Sequence, residues 1–189
     1  MPNLILASSS PRRKELLQQI RLPFHIHPST VSEEVKADLP PKELVAELAI
    51  RKAKDVANKF PHDVVLGADT VVVLNGKILG KPVDRENARN MLQALSGNTH
   101  EVLTGVAIVY NETVHHFVEK TEVTFWELSA EEIEQYLNSG EPFDKAGAYG
   151  IQGLGATFVK RIDGDYFSVV GLPISKVHRV LKRLSVEFS

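Results

Sequence analysis

Apolar residues recur along the chain with two different spacings, and each spacing predicts its own kind of element. Over residues 40–60 they stand three and four apart, which marks one buried face of a helix. Another helix is predicted after Asp84, with Gly97 as its stop, and a last helix is predicted near the C-terminus. The predicted inward residues are Leu44, Val45, Leu48, Ala49, Ala53, Val56, Ala88, Met91, Leu92, Leu95, Ile174, Val177, Leu181 and Leu184.

Compact apolar runs predict strands at residues 3–7, 63–74 and within 102–128. Asn75-Gly76 is the strongest hairpin signal, and Asn111 predicts another turn. Asp163-Gly164, between the strand-like runs 158–162 and 165–170, predicts a further hairpin. Because hairpins cannot join parallel strands, the pattern predicts an α/β protein with a mixed or antiparallel sheet.

Polar residues mark where helices begin. Ser10 is a good N-cap and Pro11 suits the first helical position, with Leu16, Leu17 and Ile20 predicted inward and Pro23 as the stop. Ser129 and Glu132 form a capping box for a helix that ends at Gly140.

Composition is that of an ordinary folded protein, with 43% apolar and 24% charged residues in 189. The net charge of −2 gives no general attraction for nucleic acid, so anion binding must be local. Cysteine is absent, which excludes disulfides and thiol nucleophiles and fits a reducing cytoplasm. Neither a signal peptide nor a membrane span is predicted.

Three consecutive cations, Arg12, Arg13 and Lys14, occupy the first turn of the first predicted helix. The positive end of the helix dipole repels them there. They either point into solvent or, with the serine-rich turn before them, form an anion site in which the arginines match phosphate. We expect Lys14 to be exposed.

Two charged residues interrupt apolar patterns. Asp69 lies within the run Val64–Leu74, and is either a hydrogen-bonded strand-end carboxylate or a catalytic or metal-associated one. Lys52 lies in the middle of the apolar helical face, where it either extends to solvent or meets an anion such as Asp69 or a substrate phosphate.

Other signals are weaker. Lys81 and Glu33 taken alone are ordinary loop residues, and the seven histidines show no metal-binding spacing and are predicted at the surface. No Walker A motif occurs, and the glycines of residues 147–155 lack the dinucleotide-binding spacing but permit close approach to a ligand. Together, cations, carboxylates and the lack of a nucleophilic cysteine favour hydrolysis of a nucleotide or another phosphate ester.

Five segments resemble the signature segments of the Maf family, the bacterial septum-formation relatives that act as nucleotide pyrophosphatases. They are "LILASSSPRRKELL", "GADTVV", "LGKP", "DKAGAYGIQG" and "DGDYFSVVGLPI", in family order over nearly the whole chain. The resemblance implies one domain over residues 1–189. It also implies an inosine-triphosphate-pyrophosphatase-like fold, an elongated mixed sheet with flanking helices in two lobes around a central cleft.

The resemblance also implies a hydrolase that converts a nucleoside triphosphate to the monophosphate and pyrophosphate with a divalent metal, Mg²⁺ or Mn²⁺. Asp69 matches the family's proton acceptor. Arg13, Lys52 and Lys81 match further active-site positions, and so does Glu33, which is expected to help place the metal. Arg12, Thr70 and Gln152 match the branch that acts on dTTP and UTP.

Several alternatives stay open at this point. The substrate could instead be 7-methyl-GTP, ITP or a modified pyrimidine nucleotide, and the protein could be a non-enzymatic nucleotide-binding regulator of septum formation. A link to cell-division arrest is compatible with either role. We expect a nucleotide partner, no nucleic acid and no membrane, and leave the oligomeric state open, a homodimer included.

Overall fold

The computed structural model describes residues 2–34 and 38–184. The α-helices are α1 (Pro11–Gln19), α2 (Pro41–Ala57), α3 (Arg85–Leu95), α4 (Ala130–Asn138), α5 (Tyr166–Val170) and α6 (Ile174–Arg183). The strands are β1 (Leu4–Leu6), β2 (His25–Ile26), β3 (Val64–Leu74), β4 (Lys77–Leu79), β5 (Thr99–Tyr110), β6 (Thr113–Phe125) and β7 (Val159–Asp163). Short 3₁₀ turns lie at Glu141–Asp144, Ala146–Ala148 and Gly153–Phe158.

Within the described residues, seven strands form one sheet in the order β2-β1-β3-β5-β6-β7, with β4 paired to β3. β1 runs parallel to β2 and to β3, whereas β4 is antiparallel to β3 and β7 is antiparallel to β6. The predicted mixed α/β fold is therefore confirmed. None of the described helices is long and apolar enough to cross a membrane.

The chain divides into two compact units. The first unit comprises the described parts of Met1–Asp69, Thr104–Glu119 and Gly171–Ser189, and the second comprises Thr70–Leu103 and Lys120–Val170. Each has its own apolar cluster, built on α2 in the first unit and on α3, α4 and several aromatic rings in the second. The single domain and the two-lobed cleft expected from the family resemblance stay predictions.

In the first unit, α2 lies unusually close to the sheet. A Cβ atom at Gly67 would lie 2.7 Å from the carbonyl oxygen of Ala49, and one at Gly105 would lie 2.3 Å from that of Val45. Any side chain at either position would collide with the helix backbone. The two glycines therefore set the distance between α2 and the strands beneath it.

Most of the locally encoded predictions are confirmed. Ser10, Asp84 and Ser129 cap α1, α3 and α4, and Ser129 forms its capping box with Glu132. The Asn75-Gly76 hairpin joins β3 to β4 with Leu74 opposite Lys77. These features depend on side chains within a few residues of the backbone groups that they bond, so they can be recognised from sequence.

The hairpin predicted around Asp163-Gly164 is wrong. Residues 159–163 form β7, but residues 166–170 form α5 instead of a second strand. The carboxylate of Asp165 accepts a hydrogen bond from the backbone N–H of Ser168 at 2.7 Å, which is the bonding of a helix N-cap. This cap overrides the strand preference of the aromatic and β-branched residues that follow.

Two further predictions need correction. Ile20 follows the end of α1 and is only partly buried, and the helix stops at Gln19, well before Pro23. His100 is not a surface residue, since only 1% of it is exposed, and its Nε2 lies 2.6 Å from the hydroxyl of Tyr149. Val102, two residues further along β5, lies on the same face of the strand and is buried, and this alternation was the available signal for burial.

Candidate active site

The turn between β1 and α1 fixes the position of Arg13. The Ser8 hydroxyl accepts hydrogen bonds from the Ser10 backbone N–H and from Nη1 of Arg13, each at 3.2 Å. Nε of Arg13 donates to the carbonyl of Gly171 at 2.8 Å. Two of the guanidinium's donor groups thus orient the side chain, and its fork geometry is set before any ligand arrives.

Burial lowers the pKa of the Arg13 guanidinium from its ordinary value, and the neighbouring positive charge of Arg12 acts in the same direction. The negative charges of Asp69 and Glu33 oppose the shift. Arginine stays protonated at neutral pH in proteins. Arg13 is therefore a fixed positive charge within electrostatic range of both candidate carboxylates.

Lys52 and Asp69 form the centre of the site. Lys52 lies on α2, Asp69 lies on β3 two residues after Gly67, and Nζ of Lys52 is 2.7 Å from Oδ1 of Asp69. Each side chain is only 13% exposed. Of the two interpretations open for Lys52 from the sequence, the meeting with Asp69 is confirmed.

Glu33 completes the cluster from a loop. One of its oxygens lies 2.7 Å from Nζ of Lys52, while its own side chain is 67% exposed.

The loop that carries Glu33 is held by two residues of α2, one on either side of Lys52 in the sequence. Asp55 accepts from the Ser29 hydroxyl at 2.7 Å and from the Thr30 N–H at 3.0 Å, and Arg51 donates to the Glu34 carbonyl at 2.8 Å.

The hydrogen bonds from Ser29 and Thr30 also lower the pKa of Asp55 from its ordinary value. Asp55 therefore holds the loop as an ionised carboxylate at neutral pH. Sequence reasoning missed Asp55, Arg51 and Ser8, because their roles depend on contacts with residues that no periodicity connects. The one available signal for Asp55 and Arg51 was their place on α2 beside Lys52.

Four predicted site residues remain to be located, namely Arg12, Thr70, Lys81 and Gln152. Arg12 is half-buried in the first turn of α1, and Lys14 is exposed, as expected. Thr70 directly follows Asp69 on β3 but belongs to the second unit. Lys81 and Gln152 also belong to the second unit, and both are exposed.

The first-unit cluster brings two cations, Arg13 and Lys52, near two carboxylates, Asp69 and Glu33, and Arg12 lies within electrostatic range of Arg13. Cations at a helix N-terminus attract phosphate, and a partly buried carboxylate beside them can accept a proton from water. Within the described residues, no group of three or more His, Asp or Glu could hold a metal ion. The geometry suits phosphate chemistry.

A family model described as Maf-like protein matches residues 3–184. The chain belongs to the Maf family. The match covers every residue of the cluster and the Thr70, Lys81 and Gln152 positions of the second unit.

Relatives within the Maf family cover nearly the whole chain. A protein of Geobacillus sp. (strain WCH70) named dTTP/UTP pyrophosphatase is 58% identical, over 97% of this chain and 99% of that protein. Proteins of the same name from Halalkalibacterium halodurans and Bacillus cereus are 57% and 54% identical, each over at least 96% of both chains. Among solved structures, protein VC0702 from Vibrio cholerae aligns over 74% of this chain and 71% of its own, with a TM-score of 0.37 and 12% identity, too weak a likeness to inform the fold.

Proposed function

We propose that this protein hydrolyses dTTP and UTP to the monophosphate and pyrophosphate. The observation that carries the proposal is the ion pair of Asp69 with Lys52, within a Maf-family chain whose relatives at 54–58% identity are named dTTP/UTP pyrophosphatase. An ammonium beside a partly buried carboxylate provides both a phosphate ligand and a proton acceptor.

In the proposed reaction, Arg13, Lys52 and Lys81 bind the triphosphate. A water oxygen forms a bond to the α-phosphorus and Asp69 accepts its proton. The bond from the α-phosphorus to the oxygen that bridges to the β-phosphorus breaks, and this oxygen leaves with pyrophosphate. Lys52 moves from the carboxylates towards the phosphates, which uncovers Asp69 for the water.

A divalent cation, Mg²⁺ or Mn²⁺, fits the donor set in part. Glu33 supplies a carboxylate that is 67% exposed and able to turn towards a cation, and hard cations of this kind prefer oxygen ligands. Glu33 would hold the ion together with phosphate oxygens and water. When bound, the cation would neutralise negative charge on the triphosphate.

The proposed substrate-specificity residues, which would distinguish one nucleotide from another, are Arg12, Thr70 and Gln152. Because the substrates are metabolites of the cytoplasm, we propose that the protein acts there, with no nucleic acid as partner. Light scattering of the purified protein tests for a homodimer, and overproduction of Asp69→Asn in cells tests whether an effect on septation depends on catalysis.

The experiment is a panel of dTTP, UTP, CTP, GTP, ITP and 7-methyl-GTP with Mg²⁺ or Mn²⁺, and products separated by ion-exchange chromatography. We expect dTTP and UTP to have the highest kcat/KM and to release pyrophosphate. In water labelled with heavy oxygen, the label should enter the monophosphate. A preference for 7-methyl-GTP or ITP, or binding without turnover, would overturn the proposal and favour the purine branch or a regulator.

A further inference from the structure

The glycine-rich segment that carries Gln152 closes on itself. Residues 150 and 155 approach so closely that a Cβ atom at Gly155 would lie 2.2 Å from the carbonyl oxygen of Gly150. Only glycine fits at Gly155. The short loop between these two residues therefore has a defined base, and Gln152 is exposed within it.

Tyr136 of α4 holds one side of this base. Its hydroxyl accepts a hydrogen bond from the Gly150 N–H at 3.2 Å and donates one to Oε1 of Glu141 at 3.0 Å. Burial raises the pKa of Tyr136 above its ordinary value, so the hydroxyl keeps its proton and remains a donor.

Glu141 holds the other side. Its Oε1 accepts from the Gly155 N–H at 3.2 Å, and its Oε2 accepts from the Leu154 N–H at 3.0 Å. One carboxylate thus receives hydrogen bonds from two backbone amides and from Tyr136. Ionised acceptors make stronger hydrogen bonds than neutral ones.

These contacts restrain the backbone on both sides of Gln152. Gly150 is held by Tyr136, the side chain of Ile151 is buried, and Leu154 is held by Glu141. Gln152 lies within this short stretch. None of these contacts involves the Asp69 cluster of the first unit.

We propose that Glu141, together with Tyr136, is a positioning residue that fixes Gln152 for reading the pyrimidine base. The inference rests on the proposed function, since it assigns Gln152 a nucleotide to read. In the proposed reaction, Glu141 contacts none of the reacting atoms. It acts on substrate preference by holding the backbone that presents Gln152.

The test compares wild-type protein with Glu141→Gln. A glutamine of the same size has one acceptor oxygen, and its amide nitrogen would face a backbone N–H or the tyrosine hydroxyl. We expect KM for UTP and dTTP to rise about fivefold to tenfold, with kcat within about twofold, because the loss falls on binding. The preference for UTP over CTP should fall by a similar factor.

Hydrogen exchange provides a readout that does not depend on activity. The amides of Leu154 and Gly155 should exchange about tenfold faster or more in Glu141→Gln, because their acceptor is weakened. Tyr136→Phe, which removes the hydroxyl between Gly150 and Glu141, should show the same change at the Gly150 amide. Glu141→Asp keeps the charge and should restore part of the preference.

Glu134→Gln is the matched control. Glu134 is another carboxylate of the second unit, on α4, and it accepts hydrogen bonds from Arg85 and Arg89 instead of the glycine-rich segment. We expect this variant to keep the wild-type base preference. The double variant Glu141→Gln/Gln152→Ala should lose no more preference than Gln152→Ala alone, since both changes act through one residue.

Faster exchange with an unchanged KM and base preference would overturn the inference, as would unchanged exchange at Leu154 and Gly155. Losses that multiply in the double variant would show that Glu141 acts without Gln152, which also overturns it. If the wild-type protein hydrolyses no pyrimidine triphosphate, the proposed function fails, and the role of Glu141 in reading a pyrimidine fails with it. The exchange measurement then still shows whether Glu141 holds the segment.

Discussion

Asp69 is an ionisable residue that is 13% exposed, in a strand where Thr70 is the only other polar residue. A buried carboxylate is costly unless a partner compensates its charge, and Lys52 does so at 2.7 Å. Lys52 in turn contacts Glu33, so losing one carboxylate does not leave the ammonium without a partner. This arrangement lets the proposed catalytic role of Asp69 be separated from its role in the fold.

We predict that Asp69→Asn abolishes turnover but leaves nucleotide binding largely intact. Kcat for UTP should fall by about 10²–10⁴-fold, the usual contribution of a general base. Arg13 and Lys52 remain to bind phosphate, so the Kd for UTP measured by titration calorimetry should change little. Steady-state assays of pyrophosphate release measure the first quantity.

Asp63→Asn is the control for this variant. Asp63 also accepts hydrogen bonds in the first unit, from the backbone N–H of Asn3 at 2.8 Å and from its side chain at 3.1 Å, but it lies just before β3. Its loss should affect stability and not kcat. Near-normal kcat in Asp69→Asn would show that another group accepts the proton.

At the scale of elements, α2 positions the cluster through its backbone as well as through Lys52. The helix approaches β3 so closely that a methyl group at Gly67 would lie 2.7 Å from the Ala49 oxygen and 2.8 Å from the Ala53 nitrogen. Both are backbone atoms, so neither can move aside alone. Lys52 precedes Ala53, and its distance from Asp69 follows from this packing.

We predict that Gly67→Ala lowers both stability and activity. Forcing a methyl group into this contact should cost about 1–3 kcal/mol of the free energy of unfolding. The displaced helix should move Lys52 away from Asp69 and lower kcat/KM by at least about tenfold, because errors of about 1 Å in a site can cost as much as 10²-fold. Denaturant titration and UTP assays measure the two effects.

Gly80→Ala is the control for stability, since a methyl group there would meet no atom within 4 Å. It should leave the free energy of unfolding nearly unchanged. Activity is not compared for this variant, because Gly80 adjoins Lys81. A destabilised Gly67→Ala protein with wild-type kcat/KM would show that the distance between α2 and β3 does not control the site.

The sequence predicted elements well wherever the deciding chemistry is local. The caps Ser10, Asp84 and Ser129 and the Asn75-Gly76 turn act within a few residues, and all four are confirmed. The strand prediction for residues 166–170 is wrong although the deciding chemistry is local there too, because the Asp165 cap competes with residues that favour strands and prevails. Local signals mislead when two of them compete.

The candidate site was predictable in part because its members are out of place. Lys52 and Asp69 each interrupt an apolar pattern, and Asp69 was one of the two anions predicted from the sequence as a partner for Lys52. The contact from Asp55 to the Glu33 loop spans 26 residues, and no pattern connects its ends. Supporting contacts of this kind require the structure.

For the whole molecule, the two units depend on different kinds of core. The first unit packs small aliphatic residues beneath α2, whereas the second contains a cluster of rings in which His100 contacts Phe125 at 5.0 Å and Tyr149 at 5.3 Å between centroids. The order of the strands in the sheet was not predictable from sequence, because it depends on long-range pairing. The ring cluster also contains an ionisable group, which makes stability depend on pH.

We predict that acid destabilises the protein through His100. Burial lowers its pKa from 6.5 to about 4, and among the described residues its Nδ1 has no hydrogen-bond partner. Below pH 6.5 His100 binds a proton in the unfolded chain but stays neutral in the folded protein. Its contribution to the free energy of unfolding is therefore fully present above pH 6.5 and is lost as the pH drops towards 4. The loss between pH 7 and pH 5 should be about 2 kcal/mol from this residue.

Urea unfolding at a series of pH values measures this loss, with His100→Gln as the test variant. The glutamine does not titrate, so although the variant is less stable at pH 7, its stability should fall by about 2 kcal/mol less on going to pH 5. His178→Gln is the control, because His178 is exposed on α6 and its replacement should leave the slope unchanged. Equal slopes for wild type and His100→Gln would mean that acid acts on other groups and that the ring cluster tolerates a charged imidazole.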